Sequence, residues 1–268
     1  MATSRSVMAA ATRAKRELEA QARPAGAFDA SRYFRTTEPL GFLNIRTAVV
    51  RDLGKSIAKA HRERWEVQDV LAFADRLIRD RHLEVKGVGI EALACFRREF
   101  SPGILPTVKG WLAKNHSANW ATTDTICGSI ISPILLAYPA LTSRVASWTA
   151  HPNMWVRRAA AVSLVRLAAR GLALDLAYGV ADALRADPED LIRKAAGWLL
   201  REAGRTDRPR LERYLRANGP SIPRTTVRYA IEHFPDGSRR ALLAATRAPR
   251  SRPLVRPLRR ATAQSTHR

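Results

Sequence analysis

Trp120 and Asp124 stand four residues apart, a spacing that sets an indole and a carboxylate side by side on one face of a helix. An aromatic face attracts a cation by roughly 0.5–2 kcal/mol. A fixed carboxylate stabilises positive charge as it develops and can orient or deprotonate water. Further along, Arg158 and Trp198 would add a guanidinium and a second indole. These residue types also have plainer uses. A Trp in a helical protein is usually core, which is the expectation for Trp65, Trp111, Trp148 and Trp155. An Asp near a helix start can simply complement the helix dipole.

The elements that must position these groups read as helices almost throughout. Apolar residues recur at three and four spacing in 7–22, 28–34, 45–61, 67–78, 85–96, 104–112, 118–131, 154–168, 172–184, 191–203 and 225–234, and strand alternation is absent. Pro, Gly and Asn punctuate the intervals, as at Ser101-Pro102, Tyr138-Pro139, Gly171 and Asp187-Pro188. With Val50 as origin, Val85, Ala121, Val156, Ile192 and Val227 are equivalent, at steps of 35, 36, 35, 36 and 35 residues. Such a period means a repeat architecture. The expected fold is therefore an all-α, HEAT-like solenoid of about six helical repeats, its second helices lining a concave face.

Offsets counted from those origins sort the side chains. Offsets 0, +4, +7 and +8 form the core stripe, and −1, +2 and +6 a second stripe on the concave side. Trp120 (−1), Arg158 (+2) and Trp198 (+6) fall on the second stripe. Asp124, at +3, takes a position that is apolar or small in the other repeats (Leu53, Val88, Ala159, Ala195, Ala230). Four residues from three repeats thus converge on one surface. Offset +1 is basic in five of six repeats: Arg51, Lys86, Arg157, Arg193 and Arg228.

Composition names the kind of partner. The 268 residues carry 46 Lys and Arg against 24 Asp and Glu, a net charge of +22, so a polyanion is expected and nucleic acid before an anionic membrane. Neither a membrane span nor a secretory leader is expected. Cys95 and Cys127 lie 32 residues apart without CxxC spacing and are expected as buried core thiols, and the six scattered His offer no metal site. No metal and no cofactor are expected. Domain boundaries are expected at a capping region 1–29, a repeat domain 30–246 and a basic tail 247–268. That tail holds seven Arg, three Pro and no acid, which suits disorder and non-specific affinity for phosphates.

Three segments carry a resemblance. "NWATTDTI" (119–126), "NMWVRRAAAV" (153–162) and "IRKAAGWLLRE" (192–202) resemble, in order and spacing, the signature segments of the AlkD-type DNA alkylation repair glycosylases. A weaker likeness runs through "RYFRTTEPLGFLNIRT" (32–47), although that family usually has Gly where this chain has Asn44. The resemblance implies a DNA-facing site of Trp120, Asp124, Arg158 and Trp198, with Tyr33 matching a family Tyr. It further implies hydrolysis of the N-glycosidic bond of cationic N3- or N7-alkylated purines in duplex DNA, without enclosing the base. In that picture Arg158 fixes a phosphate. With Tyr33, the basic residues Arg157, Arg193, Lys194 and Arg228 are expected to bind nucleic acid. The alternative is a non-catalytic HEAT-like nucleic-acid binder whose Trp residues stack on bases. A monomer in the cytoplasm, associated with the nucleoid, is the expected setting.

Overall fold

A computed structural model of the chain describes residues 4–24 and 33–247. The expected helix over 28–34 and the basic tail lie outside it, save for Tyr33, Phe34 and Arg247. In chain order the helices are α1 (Ser4–Glu19), α2 (Thr47–His61), α3 (Val67–Ile78), α4 (Leu83–Ala94), α5 (Leu105–Ala113), α6 (Trp120–Ile126), α7 (Ser132–Ala137), α8 (Thr142–Ala146), α9 (Met154–Ala168), α10 (Leu174–Ala183), α11 (Asp190–Thr206), α12 (Arg208–Asn218), α13 (Arg224–Ala230) and α14 (Asp236–Ala245). Among the described residues the only β-type pairing is an isolated bridge between Gly41 and His82.

The helices stack in two rows. α2, α4, α6, α9, α11 and α13 form the inner row, each packing on the next, while α1, α3, α5, α10 and α12 lie behind. Each inner helix is the second helix of its repeat and carries the repeat origin, and its apolar stripe is covered only by its neighbours. Val85, Val156, Ile192 and Val227, four of the six repeat origins, are fully buried. α1 closes one end with Val7, Ala11, Ala14 and Leu18 buried against α3 and α4. Lys15 Nζ ties it down, 2.6 Å from Asp80 Oδ2.

The third repeat departs from equal steps. Ala121, its expected origin, is only half-buried, and the core residues are Thr122, Thr123, Ile126, Cys127, Ile130 and Ile131, one to two positions later. A π-helical turn, Cys127–Ile131, joins α6 to α7, and such a turn absorbs an extra residue. Its wider backbone precedes Pro133, whose ring would clash with a carbonyl four residues back in a regular helix. The helix therefore runs to Ala137 rather than stopping at Ile131. The stretch Trp120–Ala137 is long and apolar enough to cross a membrane by length and composition, yet it packs as a core helix between α4 and α9. Cys127 is buried as expected, but Cys95 is exposed where α4 ends.

Two features lock neighbouring repeats. Gly197 lets α13 approach α11 so closely that a Cβ there would sit 2.5 Å from Tyr229 Cβ and 2.7 Å from the Thr226 carbonyl oxygen. Lys86 is buried, and its ammonium donates to the carbonyls of Ile78 (2.8 Å) and His116 (2.7 Å). Residues 33–45 cross the inner row as a strap. Glu84 accepts from Leu43 N (3.0 Å) and Ile45 N (3.3 Å) at one end of it. Asn44 sits there at φ 57°, a left-handed backbone that Gly and Asn adopt most readily. That conformation suits Asn at a position where the resemblance leads one to expect Gly.

Burial pulls the Lys86 pKa from 10.5 down to about 8. Because the folded value lies below the unfolded one, the unfolded chain binds more protons between these limits, and stability rises with pH across that window. Wild type should therefore gain on Lys86→Met by up to about 1.4 kcal/mol per pH unit as pH rises from 8 towards 10. Urea unfolding at stepped pH reads this directly, and parallel profiles for the two proteins would contradict it.

Candidate active site

Asn119 fixes where α6 begins. This fully buried side chain accepts from Thr122 N (2.9 Å) and donates to the Ser117 carbonyl (2.7 Å) and Thr122 Oγ1 (2.9 Å), an N-cap that satisfies otherwise orphaned groups. Trp120 is the next residue, so its position is set by the cap. Its indole N–H donates to the Tyr33 carbonyl (3.2 Å). Its ring stacks on Phe34 (centroids 5.7 Å, 28°) and meets the edge of Tyr33 (5.6 Å, 70°). Phe42 stacks behind Phe34 at 5.5 Å. The strap thus supplies the aromatic support for Trp120, and Trp155 Nε1 anchors it further by donating to Thr37 Oγ1 (2.8 Å).

One turn into α6, Asp124 faces Arg158 on α9. Arg158 Nε and Nη2 each donate to one carboxylate oxygen at 2.8 Å, and Nη1 donates to the Leu191 carbonyl at the start of α11. The pair is nearly dry: side-chain exposure is 6% for Arg158 and 16% for Asp124. Burial raises the Asp124 pKa above the ordinary carboxylate value, and the Arg158 guanidinium pulls the other way. The caps Asn119 and Asn153 are 34 residues apart, as are Asp124 and Arg158. Asp124 is therefore level with Arg158 on the concave stripe, rather than an intrusion at the apolar offset.

Trp120, Asp124, Arg158 and Trp198 line one open cleft of about 750 Å³ on the inner row, together with Tyr33, Arg35, Leu191, Lys194, Arg201 and Tyr229. Two indoles and two phenols thus share the cleft with a carboxylate held in a fixed orientation. Among the described residues no group of three or more His, Cys, Asp or Glu could hold a metal.

The sequence pattern of the DNA alkylation repair enzymes matches residues 14–234. The chain belongs to this family. Among solved structures it is similar to a predicted DNA alkylation repair enzyme from Enterococcus faecalis. The TM-score is 0.70 at 19% identity, covering 81% of this chain and 98% of that one, a likeness of fold. No curated protein matches the sequence significantly.

Within this DNA alkylation repair protein, the expected site residues divide. Trp120, Asp124, Arg158, Trp198, Tyr33 and Lys194 meet at the cleft. Arg158, expected at a phosphate, is buried and turned inward, with one bond from each of Nε, Nη1 and Nη2 going to Asp124 or the Leu191 carbonyl. Arg157 is likewise spent internally, with Nε 2.6 Å from Asp187 Oδ2 and Nη1 donating to the His151 and Pro152 carbonyls. Arg193 Nε donates to the Asp187 carbonyl (3.0 Å). With Lys86, these two cations clamp the loops between repeats, whereas Arg51 and Arg228, the remaining offset +1 cations, are exposed to solvent. Trp65, Trp111, Trp148 and Trp155 are core, as expected.

The sequence reading missed Tyr229, Leu191, Arg201 and Arg35 in the cleft. A signal existed for two of them, since Tyr229 is at offset +2 from Val227 and Leu191 at −1 from Ile192. Arg35 lies in the non-repeating strap, where no period could place it.

The buried pair makes a thermodynamic prediction. Arg158→Met leaves Asp124 without its counter-charge and should destabilise the protein by about 3 kcal/mol. Adding Asp124→Leu should recover most of that loss, because the orphaned charge is gone. Denaturant unfolding of the double-mutant cycle tests this, and simply additive losses would contradict it.

Proposed function

We propose that this protein is a DNA glycosylase that hydrolyses the N-glycosidic bond of cationic N3- or N7-alkylated purines in duplex DNA. The observation that carries this reading is the Asp124 carboxylate, clamped by Arg158 in an open cleft that the Trp120 and Trp198 indoles also line. Alkylation of a purine ring nitrogen gives the base a formal positive charge and makes it a better leaving group. The indole faces attract that cation. As the bond from C1′ to the base nitrogen breaks, its electron pair goes to the base, which departs neutral, and positive charge moves to the sugar.

Asp124 stabilises that oxocarbenium-like sugar and orients the water that adds to C1′, taking or relaying its proton. Its raised pKa makes it a better base than an exposed aspartate. Arg158 is a positioning residue here: two parallel hydrogen bonds fix both carboxylate oxygens. The open cleft favours recognition without enclosing the base, which admits bulky adducts. It also makes the reaction depend on a leaving group already activated by charge.

The test is base release from three duplexes, bearing 7-methylguanine, 3-methyladenine or uracil. The two cationic bases should be released and uracil retained. Tight binding to all three with no release would replace this reading with that of a non-catalytic binder. Release of uracil would contradict the charge-dependent mechanism.

A further inference from the structure

The cleft's other rim holds two cations around one oxygen. Arg35 Nη1, on the strap, lies 2.9 Å from Asp190 Oδ2, and Lys194 Nζ, one turn into α11, lies 2.9 Å from the same oxygen. Arg35 and Lys194 both line the cleft. All three side chains are partly open to solvent, at 53%, 29% and 39% exposure for Arg35, Lys194 and Asp190. Arg35 occupies left-handed backbone at φ 47°, a conformation that is strained for a non-glycine residue.

A carboxylate oxygen bridged by a guanidinium and an ammonium has the environment that a non-bridging phosphate oxygen takes on a nucleic-acid backbone. We propose that Arg35 and Lys194 form a backbone-phosphate site beside the cleft, and that Asp190 occupies it until DNA displaces the carboxylate. This rests on the reading of the protein as acting on duplex DNA and supplies what Arg158 does not, a phosphate contact flanking the Asp124 carboxylate. Asp190 then serves specificity. Its charge taxes every non-specific encounter of a protein with a net charge of +22, and only duplex seated deeply enough to bring a phosphate to the rim exchanges with it.

An exposed salt bridge that merely anchors the strap predicts the opposite response to removing the acid. The test is the affinity of the full chain for undamaged duplex, measured from about 50 to 200 mM salt, where log K falls by about 0.9 per neutralised phosphate. Asp190→Asn should tighten binding several-fold at about 100 mM salt. Lys194→Met, which keeps the aliphatic stem, should weaken binding and flatten the slope by about one. Weaker or unchanged binding by Asp190→Asn, or an unchanged slope for Lys194→Met, would overturn the proposal. Base release by wild type is measured alongside. Its absence would sink the glycosylase reading, while the slopes still judge the phosphate site.

Discussion

The ion pair between Asp124 and Arg158 joins the third repeat to the fourth at the point where the inner row opens into a cleft. A carboxylate taken out of water needs a partner of excellent geometry, because its desolvation costs several kcal/mol. Here the partner is bidentate and carries a third hydrogen bond to the Leu191 carbonyl, which reaches the fifth repeat as well. The arrangement holds only if α6, α9 and α11 keep their spacing and level. The Asn119 and Asn153 caps, the π-helical turn and the close α11–α13 packing at Gly197 all serve that requirement. What results is a carboxylate with little freedom to turn, facing a cleft lined with aromatic rings.

The strap of residues 33–45 turns a bare helical face into a site. It backs Trp120 with Phe34 and Tyr33, binds Trp155 through Thr37 and brings Arg35 to the rim. The protein's large positive charge is divided between two tasks. Lys86, Arg157 and Arg193 are consumed in holding loops against helix ends, so they add to net charge without presenting it. Lys194 and Arg228 are placed where a polyanion can meet them.

The fold was legible because its period is written in the apolar residues: Val85, Val156, Ile192 and Val227 are each buried where equal steps put them. Trp120, Arg158 and Trp198 were legible from their offsets, Asp124 from its four-residue spacing to Trp120, and all four from their resemblance to a family. Three things were not. Counting equal steps put Asp124 one position off, because the lengths between caps vary and a π turn absorbs the difference. α8, α12 and α14 went unseen since each buries so few apolar residues, Val145 in the first, Leu211 and Leu215 in the second and Leu242 in the third, that no stripe stands out. The Asp207 cap and Pro209 at the head of α12 were the available sign. The basic offset +1 stripe looked like a binding surface because sequence shows charge but not the carbonyls and carboxylates that neutralise it.

The proposed glycosylase reaction depends on the clamped Asp124 carboxylate acting on the sugar as the base departs. Single-turnover release of 7-methylguanine by Asp124→Asn, with duplex affinity measured in parallel, tests it most directly. Asparagine keeps the size and part of the hydrogen bonding while removing the charge. Release should be slower by roughly a hundredfold, corresponding to about 3 kcal/mol of lost transition-state stabilisation, with affinity unchanged or higher. An undiminished rate in a folded Asp124→Asn protein would show that the carboxylate only holds two repeats together.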